Sequence, residues 1–113
     1  MNSRYILRIK TDLANYTALN GLFNIHSPQN PCSFWEYVID ESEVCYNNAI
    51  NTIVDNIEKN KADLARIGIS VDNITVWYLY EYEEQCNIEF APYELKRLGE
   101  NNLTLCISCW ENK

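Results

Sequence analysis

The chain has 113 residues, an apolar fraction of 47%, and only three glycines and three prolines. That sets the expectation of one domain over residues 1–113 with a single core, and it excludes long flexible linkers. Nine Lys and Arg stand against sixteen Asp and Glu, a net charge of −7, so nucleic acid and anionic membrane surfaces, both bound through basic side chains, are not expected partners.

No stretch approaches the roughly 20 apolar residues of a membrane span. The opening apolar run is interrupted by Arg8 and Lys10, unlike a signal-peptide core. The five cysteines, Cys32, Cys45, Cys86, Cys106 and Cys109, make an odd number. Together these features set the expectation of a cytoplasmic protein with reduced thiols.

In chain order, Tyr5 to Lys10 reads as a first strand, rich in β-formers. Thr11 or Asp12 is placed to cap a helix carrying Leu13, Tyr16, Leu19 and Phe23 at helical spacing, and Asn20-Gly21 is a possible early stop. His26 to Pro31 is loop chemistry, with two prolines. Ser33 to Ile39 reads as a strand with Trp35, Tyr37 and Ile39 on one face and Phe34, Glu36 and Val38 on the other.

Asp40 to Glu43 opens the main helix, where acidic residues complement the helix dipole. Tyr46, Ala49, Ile50, Ile53, Val54 and Ile57 follow the i, i+3, i+4 pattern, Leu64 and Ile67 extend it, and Gly68 closes it. A straight helix from Glu43 to Ile67 would be about 37 Å long at 1.5 Å per residue, longer than a short strand can cover. The polar run Glu58-Lys59-Asn60-Lys61 marks the expected break near Asn60. Ile74 to Tyr82 is the strongest strand signal. After a turn through Glu83-Glu84-Gln85, Cys86 to Phe90 reads as a short strand. Pro92 fits the first turn of a helix ended by Gly99, and Thr104 to Trp110 is the last strand. The order β-α-β-α-β-β-α-β predicts an α+β fold, a two-layer sheet with helices on one face, ferredoxin-like in outline.

Few residues carry recognisable chemistry. Cys106 and Cys109 have a C-x-x-C spacing, but three residues apart in a strand they face opposite ways, and there is no second Cys pair and only one histidine to complete a zinc site. That histidine, His26, lies in a loop before Pro28 with no metal partner beside it in sequence. Motifs for phosphate loops, nucleophile elbows and helical zinc sites are absent. No catalytic residue, cofactor or metal is therefore expected. The aromatic strand stands out instead: Val76, Tyr78, Tyr80 and Tyr82 line one face, and Thr75, Trp77, Leu79 and Glu81 the other. Tyr and Trp are frequent anchors of protein interfaces.

From the first strand through Leu22-Phe23-Asn24-Ile25-His26-Ser27-Pro28, Trp35-Glu36-Tyr37, the long helix, Val76-Trp77-Tyr78, Ile88-Glu89-Phe90-Ala91-Pro92-Tyr93-Glu94-Leu95 and Leu105-Cys106-Ile107-Ser108-Cys109-Trp110, the chain resembles a bacterial family of domains of unknown function, number 4279. The basic and glycine residues often found there between the turn proline and the tryptophan are absent here. The resemblance implies a small stand-alone protein, and some members resemble immunity proteins of toxin systems. The expected function is thus a non-enzymatic binding protein, an immunity protein that neutralises a toxin by direct contact. A small-molecule-sensing or regulatory module is the alternative, and a sheet-surface nucleic-acid binder is disfavoured by charge. A homodimer through an aromatic face is also compatible with the sequence. The expected partner is a protein, in particular a basic toxin, met by two acidic-aromatic clusters: Glu36 and Tyr37 with Asp40, Glu41 and Glu43, and Tyr80, Glu81, Tyr82, Glu83 and Glu84.

Overall fold

The computed structural model describes residues 3–25, 34–40 and 49–112. The loop expected from His26 to Pro31, the two cysteines Cys32 and Cys45, and the expected start of the main helix with Glu41 and Glu43 lie outside these. Four strands form one sheet in the order β2-β1-β3-β4: β1 (Ser3–Lys10), β2 (Phe34–Asp40), β3 (Ile74–Tyr82) and β4 (Thr104–Glu111). β1 is antiparallel to both its neighbours, while β3 and β4 are parallel. The helices are α1 (Tyr16–Phe23), after a 3-10 turn at Leu13–Asn15, then α2 (Ala49–Lys59), α3 (Lys61–Arg66) and α4 (Pro92–Glu100). This is the two-layer α+β arrangement anticipated from the pattern of elements.

The core lies between the helices and one face of the sheet. Tyr5, Leu7 and Ile9 of β1, Trp35 and Ile39 of β2, and Ile74, Val76 and Tyr78 of β3 contribute alternate residues to it. Tyr16, Leu19 and Phe23 of α1, Ile50, Ile53, Val54 and Ile57 of α2, Leu64 of α3 and Leu98 of α4 close it from the other side. Leu13, expected on the same helical stripe, precedes α1 and is exposed. Buried polar groups are satisfied: the Trp35 indole N–H donates to Asn20 Oδ1 (2.8 Å) and the Tyr16 hydroxyl to the Phe34 carbonyl.

The break near Asn60 is real. Asn60 separates α2 from α3 and is itself buried. Its side-chain amide donates to the carbonyls of Asn56 (2.9 Å) and Leu22 (3.2 Å), tying the bend to the end of α1. Buried asparagine is tolerable here because both donors find acceptors.

Three helix ends share one device. Gly68 (φ 85°) ends α3, with Gly68 N–H donating to Ala65 O and Ile69 N–H to Leu64 O. Asn24 (φ 54°) and Asn102 (φ 55°) do the same for α1 and α4, a left-handed closure that asparagine, of the non-glycine residues, enters most readily. Gly21 and Gly99, expected as stops, lie inside α1 and α4. A second correction concerns residues 86–90, which form no strand. They cross the helix-side surface of the sheet, where the Phe90 ring meets Tyr78 edge-on at 5.9 Å, so they are above the sheet and not in its plane.

Candidate functional site

Strand direction decides what comes together. β2 and β3 both run antiparallel to β1, so they run parallel to each other and finish at the same end of the sheet. The start of β1 lies between them, with Arg4 paired to Asp40 on one side and to Leu79 on the other. Two strand spacings of about 4.8 Å put the ends of β2 and β3 roughly 10 Å apart. β4, parallel to β3, brings Cys109, Trp110 and Glu111 beside Tyr80, Glu81 and Tyr82. The Asn112 N–H then donates to the Tyr82 carbonyl (2.7 Å) and holds the ends of β3 and β4 together.

The candidate residues divide on this frame. Asp40, Tyr80, Glu81 and Tyr82 stand at the common end, with Glu83 and Glu84 exposed in the turn just beyond. Glu84 has a left-handed backbone (φ 59°), which sharpens that turn. Glu36 and Tyr37 do not reach this end. They sit mid-strand opposite Arg8 and Leu7. Tyr37 packs edge-on to Phe23 at 6.3 Å, as part of the core margin. Glu36 Oε2 accepts from Arg8 Nε and lies against the terminal Nη2, both at 2.7 Å.

That Arg8 is the hub of the opposite, helix-free face. Its guanidinium lies 5.2 Å from the Phe34 ring centroid and 5.1 Å from that of Trp77. The charge is thus neutralised by Glu36 and sandwiched by π-faces. Ile6, in register with Val38 and Trp77 on the same face, is only 4% exposed. The cluster seals the back of the sheet with a satisfied ion pair, and this accounts for Glu36 structurally.

At the acidic end, aromatic rings emerge in a graded row. Tyr5 and Tyr78 stack at 4.6 Å in the core. Tyr80 follows edge-on to Tyr78 at 5.7 Å, and Tyr82 follows Tyr80 at 6.4 Å, each half-buried. The inner rings fix the outer ones, so two tyrosines are presented with little freedom left to lose. On the other face Trp110 is exposed and its indole N–H donates to Glu81 Oε2 (3.3 Å). On the Tyr80 side Cys86 lies against Cys109, which is in register with Tyr80; partial desolvation and the neighbouring thiol push the Cys86 thiol up. Glu111, Trp110 and the Cys86–Cys109 contact were missed in the sequence. They depend on β4 lying parallel beside β3, which no local pattern announces.

Among the described residues no group of three or more His, Cys, Asp or Glu side chains is arranged to hold a metal ion, and no helix is long and apolar enough to cross a membrane. No family model, no curated protein and no solved structure matches the chain.

Proposed function

We propose that this chain is a non-enzymatic binding protein of the cytoplasm that docks a basic protein partner at the acidic, tyrosine-bearing end of its sheet. In its most specific form the reading is that of an immunity protein neutralising a bacterial toxin, the role implied by the family pattern in the sequence. One observation carries the binding reading: the half-buried Tyr80 and Tyr82, in tilted contact at 6.4 Å, end β3 beside Glu111 of β4 and the exposed Glu83 and Glu84 of the turn, with Glu81 on the opposite face of the same strand. Fixed aromatic rings supply contact area at small entropic cost, and surrounding carboxylates draw in a basic surface.

The test is affinity capture from the native cell with the intact chain and with a Glu83→Lys/Glu84→Lys variant. Both positions are exposed in the turn, whereas Glu81 holds the Trp110 indole and is left alone. A basic protein retained by the intact chain and lost by the variant supports the reading. Equal retention by both, or a captured partner with no basic surface, overturns it.

A further inference from the structure

β4 forms one edge of the sheet. Edge strands in monomeric proteins are usually blunted by lysines, prolines, bulges or shortness, because their free N–H and C=O groups invite another strand. β4 has eight residues, Thr104 to Glu111, and none of these devices; its sole charge is the terminal Glu111. Among the described residues nothing pairs with this edge. Ile107, at its centre, is 47% exposed.

A second apolar feature flanks the same edge. Leu95 of α4 is 51% exposed. Arg97 turns toward α2, donating to Asn51 Oδ1 (2.9 Å) and pairing with Asp55 (2.8 Å). Leu95 lies two residues away, about 200° round the helix, and so on the flank of α4 turned from α2. α2 packs over β1, and α4 packs on β4, which puts that flank on the side of the open edge.

We infer that β4 pairs antiparallel with β4 of a second copy, joining two four-stranded sheets into one of eight strands. A two-fold axis normal to the sheet keeps both helix layers on one side, and centring it on Ile107, the most exposed large apolar residue of the strand, sets Ile107 opposite Ile107 of the second copy. The same register sets Leu105 against Cys109 on the helix side, and Cys106 against Ser108 and Thr104 against Trp110 on the other side. No like charges meet, since Glu111 falls opposite Leu103. The charge of −7 per chain does not oppose this arrangement locally. The two Glu111 positions lie eight residues apart along the seam, about 26 Å at 3.3 Å per residue, well beyond the screening length of roughly 8 Å at physiological salt. A strand from an unrelated protein would find the same backbone groups. The self-matched side-chain register and the separation of the acidic ends favour a second copy, and both acidic ends stay open at the extremities of the joined sheet.

Sedimentation of the intact chain at high micromolar concentration, together with Ile107→Lys and Ile107→Glu variants, tests this. The intact chain is expected to sediment with twice the chain mass, and each variant alone with the mass of a single chain, because residue 107 opposes itself. An equimolar mixture of the two variants should recover the doubled mass through a Lys–Glu pair. Circular dichroism checks their folding, and amide exchange on the intact chain is a second readout that needs no variant: alternate β4 amides should gain protection as concentration rises. A single-chain mass for the intact protein, variants that fold and still associate, a mixture that fails to associate, or β4 exchange independent of concentration would overturn the inference.

Discussion

At the residue scale, backbone conformation does more than side-chain chemistry to shape this chain. Asn24, Gly68 and Asn102 each adopt the left-handed region and each closes a helix. Gly68 is the sharpest case, because the space around it is empty: an added Cβ would meet nothing within 4 Å. The only cost of a side chain there is the left-handed backbone itself. Gly68→Ala should therefore lower stability by about 1 kcal/mol, measured by denaturant unfolding. An unchanged midpoint would mean that the α3 end relaxes out of this conformation. The asparagine ends were harder to read, because the chain is rich in asparagine and most of its asparagines have ordinary backbones. Gly21 and Gly99 were the more conspicuous stops, yet a glycine inside a helix costs only about 1 kcal/mol and packing overrides it.

At the element scale, the α2–α4 contact is electrostatic at its rim. Arg97 pairs with Asp55 and Glu58 (3.0 Å), and the Asn101 side-chain amide donates to Glu58 Oε2 (2.9 Å). The Asn101 hydrogen bond, and after it the charge and hydrogen bond of Arg97, hold the Glu58 carboxyl below its ordinary value of 4.5. A carboxyl lowered on folding contributes stability that is fully present above the unfolded value. It is lost as pH falls from about 4.5 through the lower folded value. Glu58→Gln should thus flatten the fall of the thermal midpoint on acidification below that pH, by a small, salt-screened amount because the pair is exposed. An identical acid profile in the variant would remove Glu58 from the account. Element existence was legible wherever periodicity and length agreed: β3 by its run of β-formers, α2 by its apolar stripe, and the Asn60 break because a straight helix would outrun the sheet. The strand expected at residues 86–90 failed for a tertiary reason. Ile88 and Phe90 alternate as in a strand, but both pack against the core, Phe90 edge-on to Tyr78, and neither pairs beside β4.

At the scale of the whole molecule, the candidate site rests on strand order. The two acidic-aromatic clusters are far apart in sequence, and only the order β2-β1-β3-β4, with β1 reversed, brings Asp40 and Tyr80 to one end. Pairing of this kind is non-local and leaves no mark in any one segment. The sequence pattern did expose the second cluster, through the alternation of Tyr80, Glu81 and Tyr82. It could not separate Glu36, whose carboxylate answers Arg8 across the strand, from the carboxylates left at the end of the sheet. The central claim is that this end draws in a basic partner by charge and holds it by the tyrosines. The most direct measurement is the association rate of the partner captured from the native cell, followed across salt concentrations for the intact chain and for Glu83→Lys/Glu84→Lys. The account predicts slower association and a flatter salt dependence for the variant, with dissociation little changed. Association rates that coincide at every salt concentration, with the variant folded, would contradict it.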